Sequence, residues 1–397
     1  MTSTPSERAL AEVVVDLGAI RHNVRRLREI VSEPPREPGE DQDGGTGRTP
    51  QLMVVVKADA YGHGMVPVAR AARSAGAEWL GVATGSEARA LRASGDTGRL
   101  LCWLAAPGAD FAPLVEADVD VAAYSLAQLD DIVRGAHEAH APARVHLKFD
   151  TGLSRGGASR PDWLPLITAA RAAQDAGDVQ VLGLWSHLAC ADEPDHPANA
   201  RQKAAFTQAC DLALDAGLTP EVRHLANSAG AVLHPDARWD LVRTGIAVYG
   251  LSPAPDVVGE EELGLVPAMT VRGCVVLTKE LAAGDGVSYG HTFVAPEPMR
   301  VALVPMGYGD GIPRHASSRA EVLLDGVRGS VLGRVCMDQI VVSAPEAHPG
   351  DEVTLLGPGT EGEPTANDWA RWCDTISYEI VTRMGGRQVR SWLGEES

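Results

Sequence analysis

Lys57 follows directly on three valines in VVVKADAYGHG, so a strand would hold its stem while the amine projects past the strand's end. Desolvation and neighbouring cations depress an amine's pKa, and a neutral amine can attack a carbonyl carbon to form an imine. Taken alone, VVVK reads more simply as a strand-end lysine reaching out to solvent. The arrangement recurs, however. Lys148 and Asp150 close the apolar run of VHLKFD, and His187 closes that of VLGLWSHLA. Asn227 ends VRHLAN with Ser228 next, and Arg243 ends DLVRTG. Burying polar groups without partners is costly, so packing alone does not account for polar groups that repeatedly end apolar strands.

Those runs belong to a longer series. LMVVVKA from Leu52, WLGVAT from Trp79, LLCWLA from Leu100, VDVAAY from Val119, VHLKFD from Val145, VLGLWSHLA from Val181, VRHLAN from Val222 and DLVRTG from Asp240 all read as strands. Helical patterns such as VPVARAARSAG, SLAQLDDIVRGAHE and ARQKAAFTQACDLALDAG separate them. About eight βα units in about 200 residues predict a TIM (β/α)8 barrel rather than a doubly wound sheet. Functional side chains of such a barrel gather at the C-terminal ends of its strands, and phosphate binds after strands seven and eight. Lys57, Lys148, His187, Ser228 and Arg243 would then ring one face.

Ahead of the barrel, Ile20, Val24, Leu27 and Val31 recur at helical spacing. Residues 32–50, rich in Pro, Gly and acid, read as a disordered surface loop. After Tyr249 the texture changes to alternating runs with glycine turns, as in MRVALVPMGYGDG, and helical periodicity almost vanishes. The expected division is an N-terminal segment, 1–11, that can pair with the β domain, a barrel over 12–254 and an antiparallel β domain over 255–397.

Composition limits the function. The chain of 397 residues is long enough for two domains, and its 53 acidic against 35 basic residues give a formal net charge of −18. That charge repels phosphate backbones and anionic lipid surfaces, so neither nucleic acid nor membrane is an expected partner. The six cysteines form no Cys-x-x-Cys pair and read as reduced thiols, with no metal site implied. No secretory signal or membrane-spanning run is legible, so a soluble cytoplasmic protein is expected.

VVVKADAYGHG closely resembles the cofactor-lysine motif of the alanine racemases, a family of fold-type III pyridoxal-phosphate enzymes. KFDTGLSRGG, SHLACADE, HLANSAG, DLVRTGIAVYG, VSYGHTF, VPMGYGDG, GRVCMDQ and ISYEI resemble that family's other motifs in the same order, from about residue 10 to 392. The resemblance implies interconversion of L- and D-alanine by a two-base mechanism on pyridoxal 5'-phosphate, supplying D-alanine for peptidoglycan. Lys57 would carry the cofactor as an imine and serve one face of the substrate, and Tyr289 of VSYG would serve the other from a second copy of the chain. A free phenol has a pKa of ~10, so Tyr289 needs help from His187 and Arg243. Arg243 would face the pyridine nitrogen and hold it unprotonated. Ser228, the amides of Gly245 and Ile246, and the hydroxyls of Tyr61 and Tyr378 would hold the phosphate. Arg155 and the amide of Met337, the latter from the partner subunit, would bind the substrate carboxylate. Lys148 matches a lysine often carbamylated in the family. The implied assembly is a homodimer with shared active sites.

His63 and Asp310 read as turn residues rather than catalytic ones.

Overall fold

The computed structural model describes residues 10–33 and 49–395. The first strand, β1 (Ala11–Asp16), runs straight into helix α1 (Leu17–Ser32). Asp16 makes that junction: its carboxylate accepts from the amides of Gly18 at 2.7 Å and Ala19 at 3.1 Å, satisfying donors that a helix start leaves orphaned. Ile20, Val24, Leu27 and Val31 are all buried on the inner face of α1. Ser32 is its last residue rather than the start of a loop, and residues 34–48 of the expected disordered segment lie outside the described residues.

Eight parallel strands follow: β2 (Gln51–Val55), β3 (Trp79–Thr84), β4 (Arg99–Leu104), β5 (Asp120–Ala123), β6 (Ala143–Lys148), β7 (Val179–Trp185), β8 (Val222–His224) and β9 (Leu241–Thr244). From β3 to β8 each strand pairs with its predecessor, and β9 pairs with β2. The last seam is closed by the Asp240 amide donating to Arg223 O and the Arg243 amide donating to Ala226 O, both at 3.0 Å. The TIM barrel read from the sequence is therefore present. Alternation along β2 and the residue after it divides the side chains: Met53 joins Trp79, Leu101, Val222 and Leu241 in one buried layer, while Leu52, Val54 and Val56 enter the main core.

The C-terminal part is built on antiparallel sheets. Its six-stranded sheet runs Val327–Ser330, Glu321–Leu324, Glu352–Leu356, Met269–Cys274, β1 and Val389–Leu393. Thus β1 pairs antiparallel with Met269–Cys274 and, as the one parallel pairing of this sheet, with Val389–Leu393. Leu277–Leu281, Met299–Val304 and Ile340–Ser343 form a three-stranded sheet.

Two helices here escaped the sequence reading, Ala366–Cys373 and Ser377–Arg383. They are too short to display a long period. The first is nonetheless started by a capping box between Thr365 and Asp368, and it buries Trp369, Ala370 and Cys373. Among the described residues no helix is long and apolar enough to cross a membrane.

Candidate active site at the barrel mouth

Lys57 lies just beyond β2, half-buried, with its amine 5.9 Å from the centre of the Trp103 ring. Burial lowers its pKa and Arg155 lowers it further, against a smaller opposing effect of Glu87. The chain then makes an unusual turn. Ala58, Asp59, Ala60 and Tyr61 all have φ between 52° and 54°, a left-handed conformation that costs L-residues roughly 1–2 kcal/mol each. Contacts on several sides hold it. The Ala58 amide donates to Glu87 Oε1 at 2.7 Å, the Met65 amide donates to Asp59 Oδ1 at 2.8 Å, and Arg390 pairs with Asp59 at 2.5 Å. Tyr61 packs its ring 4.9 Å from Tyr249 and 6.2 Å from Tyr378.

Arg243 is buried at the end of β9, where its guanidinium donates to Ser186 O at 2.8 Å and Leu225 O at 3.0 Å. It also lies 3.2 Å from His187 Nδ1 and 3.1 Å from His224 Nδ1. A guanidinium can only donate, so both ring nitrogens accept, and each imidazole carries its proton on Nε2. His224 Nε2 then donates to His146 Nδ1 at 2.9 Å, and His146 Nε2 donates to Asp120 Oδ2 at 3.1 Å. Burial, reinforced by Arg243, pushes His187 and His224 well below the usual histidine pKa, so both are neutral. Asp120 at the start of β5 also pairs with Arg99 and Arg144. A directed chain of hydrogen bonds thus runs from the mouth of the barrel to its N-terminal end.

Lys148, ending β6, is buried with its amine 4.3 Å from the Trp185 ring and 4.8 Å from Tyr124. Burial, Arg243 and Arg155 push its pKa down to about 7. The loop after β6 folds back on it, since the Ala158 amide donates to Lys148 O at 2.8 Å and the Asp150 amide donates to Ala158 O at 2.9 Å. That loop presents Arg155, exposed and without a hydrogen-bond or ion-pair partner among the described residues. Lys57, Lys148, Arg155 and Arg243 therefore share one mouth, and the carboxylates that act on the two lysines there are Glu87 and Asp150.

Ser228 follows β8 and accepts from the Gly245 amide at 2.8 Å. A Cβ at Gly245 would stand 2.4 Å from the Tyr61 hydroxyl, so only glycine lets that hydroxyl reach the loop after β9. Ile246 is buried beside it. Burial pushes the phenols of Tyr61 and Tyr378 above their ordinary pKa, leaving both as neutral hydroxyls.

Tyr289 and Met337 stand apart. They are 69% and 54% exposed on the C-terminal domain, and no described hydrogen bond ties either to the barrel of its own chain. Their turns are stitched to each other: Ser288 Oγ lies 3.3 Å from Cys336 Sγ and donates to Arg334 O at 2.7 Å. Tyr308, also exposed, donates its amide to Cys336 O at 2.9 Å.

The sequence reading missed Asp120, His146, His224 and Tyr249. A signal existed for His146, which precedes Lys148 by two residues and so shares its face of β6. None linked it to His224, because that contact joins β6 to β8 across the intervening β7, over a glycine: a Cβ at Gly183 would stand 2.1 Å from His146 Nδ1. Among the described residues no group of histidines, cysteines and carboxylates is arranged to hold a metal ion.

Comparisons with known proteins agree with this architecture. Residues 15–253 match the model of the alanine racemase N-terminal domain, and residues 268–392 match that of the C-terminal domain. The chain is 51% identical over 388 residues to an alanine racemase of Salinispora arenicola, covering 97% of this chain and 99% of that one. It superposes with a TM-score of 0.92 on the crystal structure of alanine racemase from D-cycloserine-producing Streptomyces lavendulae, at 48% identity and covering 99% and 98% of the two chains. The Bartonella henselae alanine racemase, solved with covalently bound pyridoxal phosphate, aligns at 26% identity over 97% of this chain and 100% of its own, with a TM-score of 0.84. With both family domains present, in order and nearly complete, the chain belongs to the alanine racemase family.

Proposed function

We propose that this chain interconverts L-alanine and D-alanine in the cytoplasm, with pyridoxal 5'-phosphate held on Lys57 and D-alanine supplied for peptidoglycan. The observation that carries the reading is the amine of Lys57, lowered in pKa by burial and by Arg155, at a mouth shared with Lys148 and Arg243. Such a concentration of cations suits a multiply charged anion. The residues fit that group: Ser228 Oγ and the neutral hydroxyls of Tyr61 and Tyr378 lie beside a Gly245 backbone with no room for a Cβ, and Ile246 continues the same loop. Pyridoxal phosphate, when bound, supplies an electron sink that acidifies the substrate's α-C–H bond.

The chain's own residues would divide the remaining work. Lys57 Nζ takes or returns the α-proton on one face. Tyr289 of the partner subunit serves the opposite face, because in its own chain it lies exposed on a different domain. Arg243, fixed by His187, His224 and two carbonyls, has no lone pair to accept a proton and holds the heteroatom it faces unprotonated. Together with His187 it would ease deprotonation of that tyrosine. Arg155, whose guanidinium has no other partner among the described residues, would bind the substrate carboxylate with the Met337 amide of the partner subunit. A carbamate on Lys148 would give Arg155 an anionic partner in place of a repelling cation.

Racemisation of small L-amino acids, followed by chiral chromatography and compared as kcat/KM, tests this reading. Alanine should be turned over best. A clear preference for serine would move the assignment to another substrate on the same scaffold.

A further inference from the structure

A cavity of about 430 Å³ lies between the barrel and the C-terminal domain and includes none of the residues assigned above to cofactor or substrate. The barrel contributes His63, Tyr249 and Leu251 to its lining, and the C-terminal part contributes chiefly Glu260, Glu261 and residues 265–269, 356–360 and 365–367. The volume is within the range of small-molecule sites. The Tyr249 ring, a lining residue of this space, is stacked 4.5 Å from His63 and tilted 4.9 Å from Tyr61, one of the groups expected to hold the cofactor phosphate.

Two carboxylates and an unpartnered ring nitrogen belong to its lining. Glu260 Oε1 accepts from the Ser252 amide at 3.0 Å and from Asn367 Nδ2 at 2.8 Å, while no described group donates to Oε2. Glu261, exposed to solvent, adds a second carboxylate, and among the described residues no lysine or arginine lines the cavity. His63 lies in the wall, fully buried. Its Nδ1 lies 3.0 Å from the carbonyls of both Ala60 and Tyr61 and so carries the proton, leaving Nε2 as a lone-pair acceptor without a partner. Burial pushes His63 down to about 4, so it stays neutral and cannot serve as a counterion to the two carboxylates. Leu251, Met269 and Leu356 supply apolar wall.

A half-buried carboxylate with one oxygen that receives no described donor, a second carboxylate exposed to solvent and an unpartnered ring nitrogen beside apolar wall suit an occupant with positive charge, several N–H donors and an apolar body. We propose that this cavity is a second ligand site, separate from the catalytic mouth, that binds a small organic cation of the amidinium or primary ammonium class, with its charge on Glu260.

Calorimetric titration of the cofactor-loaded enzyme with benzamidine tests this, with benzoate and benzyl alcohol as probes of equal shape but different charge. Benzamidine should bind saturably with a dissociation constant below about 1 mM, and the other two should not. Glu260→Gln removes the charge and should weaken binding about tenfold or more. Thr360→Trp, at an exposed position of the lining, should block entry. Either variant decides the question should the other fail to fold, as judged by circular dichroism. The proposal is overturned if benzamidine gives no saturable heat, if benzoate binds as well, or if a folded variant binds benzamidine as the parent does.

Discussion

Arg243 Nη1 lies 3.1 Å from His224 Nδ1, and through that contact the mouth of the barrel is anchored to its floor at Asp120. Each link in the chain has one possible donor, so the protonation pattern follows from the guanidinium alone. Such a chain resists rotation of Arg243 about its own side chain. It also depends on the space left by Gly183.

Gly183→Ala should therefore act at a distance. The new methyl would enter the His146 ring, which is held at both nitrogens and cannot swing aside. A loss of about 1–3 kcal/mol is expected from overpacking, seen as a lower midpoint in urea. A fall in kcat should accompany it, because Arg243 loses its fixed orientation. An unchanged kcat in a folded variant would show that the chain does not position Arg243.

Acid should weaken the fold through Asp120. Burial alone would raise its pKa, but the hydrogen bond from His146 and the charges of Arg99 and Arg144 hold it down, at about 2. An unfolded aspartate titrates near ~3.9, so the unfolded chain binds the extra proton first. The stability Asp120 contributes is full above that value and is lost as pH falls through about 2. Urea midpoints in acid should fall less steeply for Asp120→Asn than for the parent.

Lys148, brought to about 7, is an uncharged nucleophile above that pH. Attack of its Nζ on carbon dioxide forms one N–C bond, releases one proton and leaves a carbamate anion beside Arg155. Protein equilibrated with ¹³C-bicarbonate should give a carbamate carbon resonance above pH 7 that weakens in acid. Lys148→Met should lack it.

If each site needs Tyr289 of the partner subunit, two dead variants should rescue each other. Lys57→Ala and Tyr289→Phe should each lose about 10²–10⁴-fold in kcat, the usual range for a proton-transfer group. Mixed and reassembled in equal amounts, half the dimers are hybrids with one intact site of two, which restores about one quarter of parental activity. No recovery on mixing would place both residues in one chain's site.

Gly245→Ala should loosen the cofactor. Its methyl would displace the Tyr61 hydroxyl, which a Cβ would approach to 2.4 Å. Cofactor loss on dialysis should accelerate about tenfold or more, the effect of one lost charge-assisted hydrogen bond, while the far-ultraviolet dichroism stays unchanged.

Most of the barrel was legible because parallel strands buried on both faces are continuous apolar runs, and each run of the series coincides with a strand from β2 to β9. The polar residues that end five of the eight runs were legible for the same reason: a polar group that interrupts an apolar run stands out. Short features were not. The helices Ala366–Cys373 and Ser377–Arg383 span too few turns to show a period, and the expected division counted residues 12–16 of β1 with the barrel although the strand pairs within the C-terminal sheet, with partners far along the chain that nothing local to it marks.

The sequence by itself determined the barrel, the ring of Lys57, Lys148, His187, Ser228 and Arg243 at its mouth, and the family, because strand alternation and strand ends are local properties of the chain. Only the tertiary structure decided the left-handed turn from Ala58 to Tyr61, the histidine chain beneath Arg243 and the exposure of Tyr289 away from its own barrel. Each depends on groups distant in sequence. Arg390 and Glu87 hold a turn that its own residues disfavour, and Gly183 on β7 makes room for His146 on β6. Non-local contacts of this kind leave no periodic trace along the chain, since their energy belongs to pairs of residues and not to either one alone.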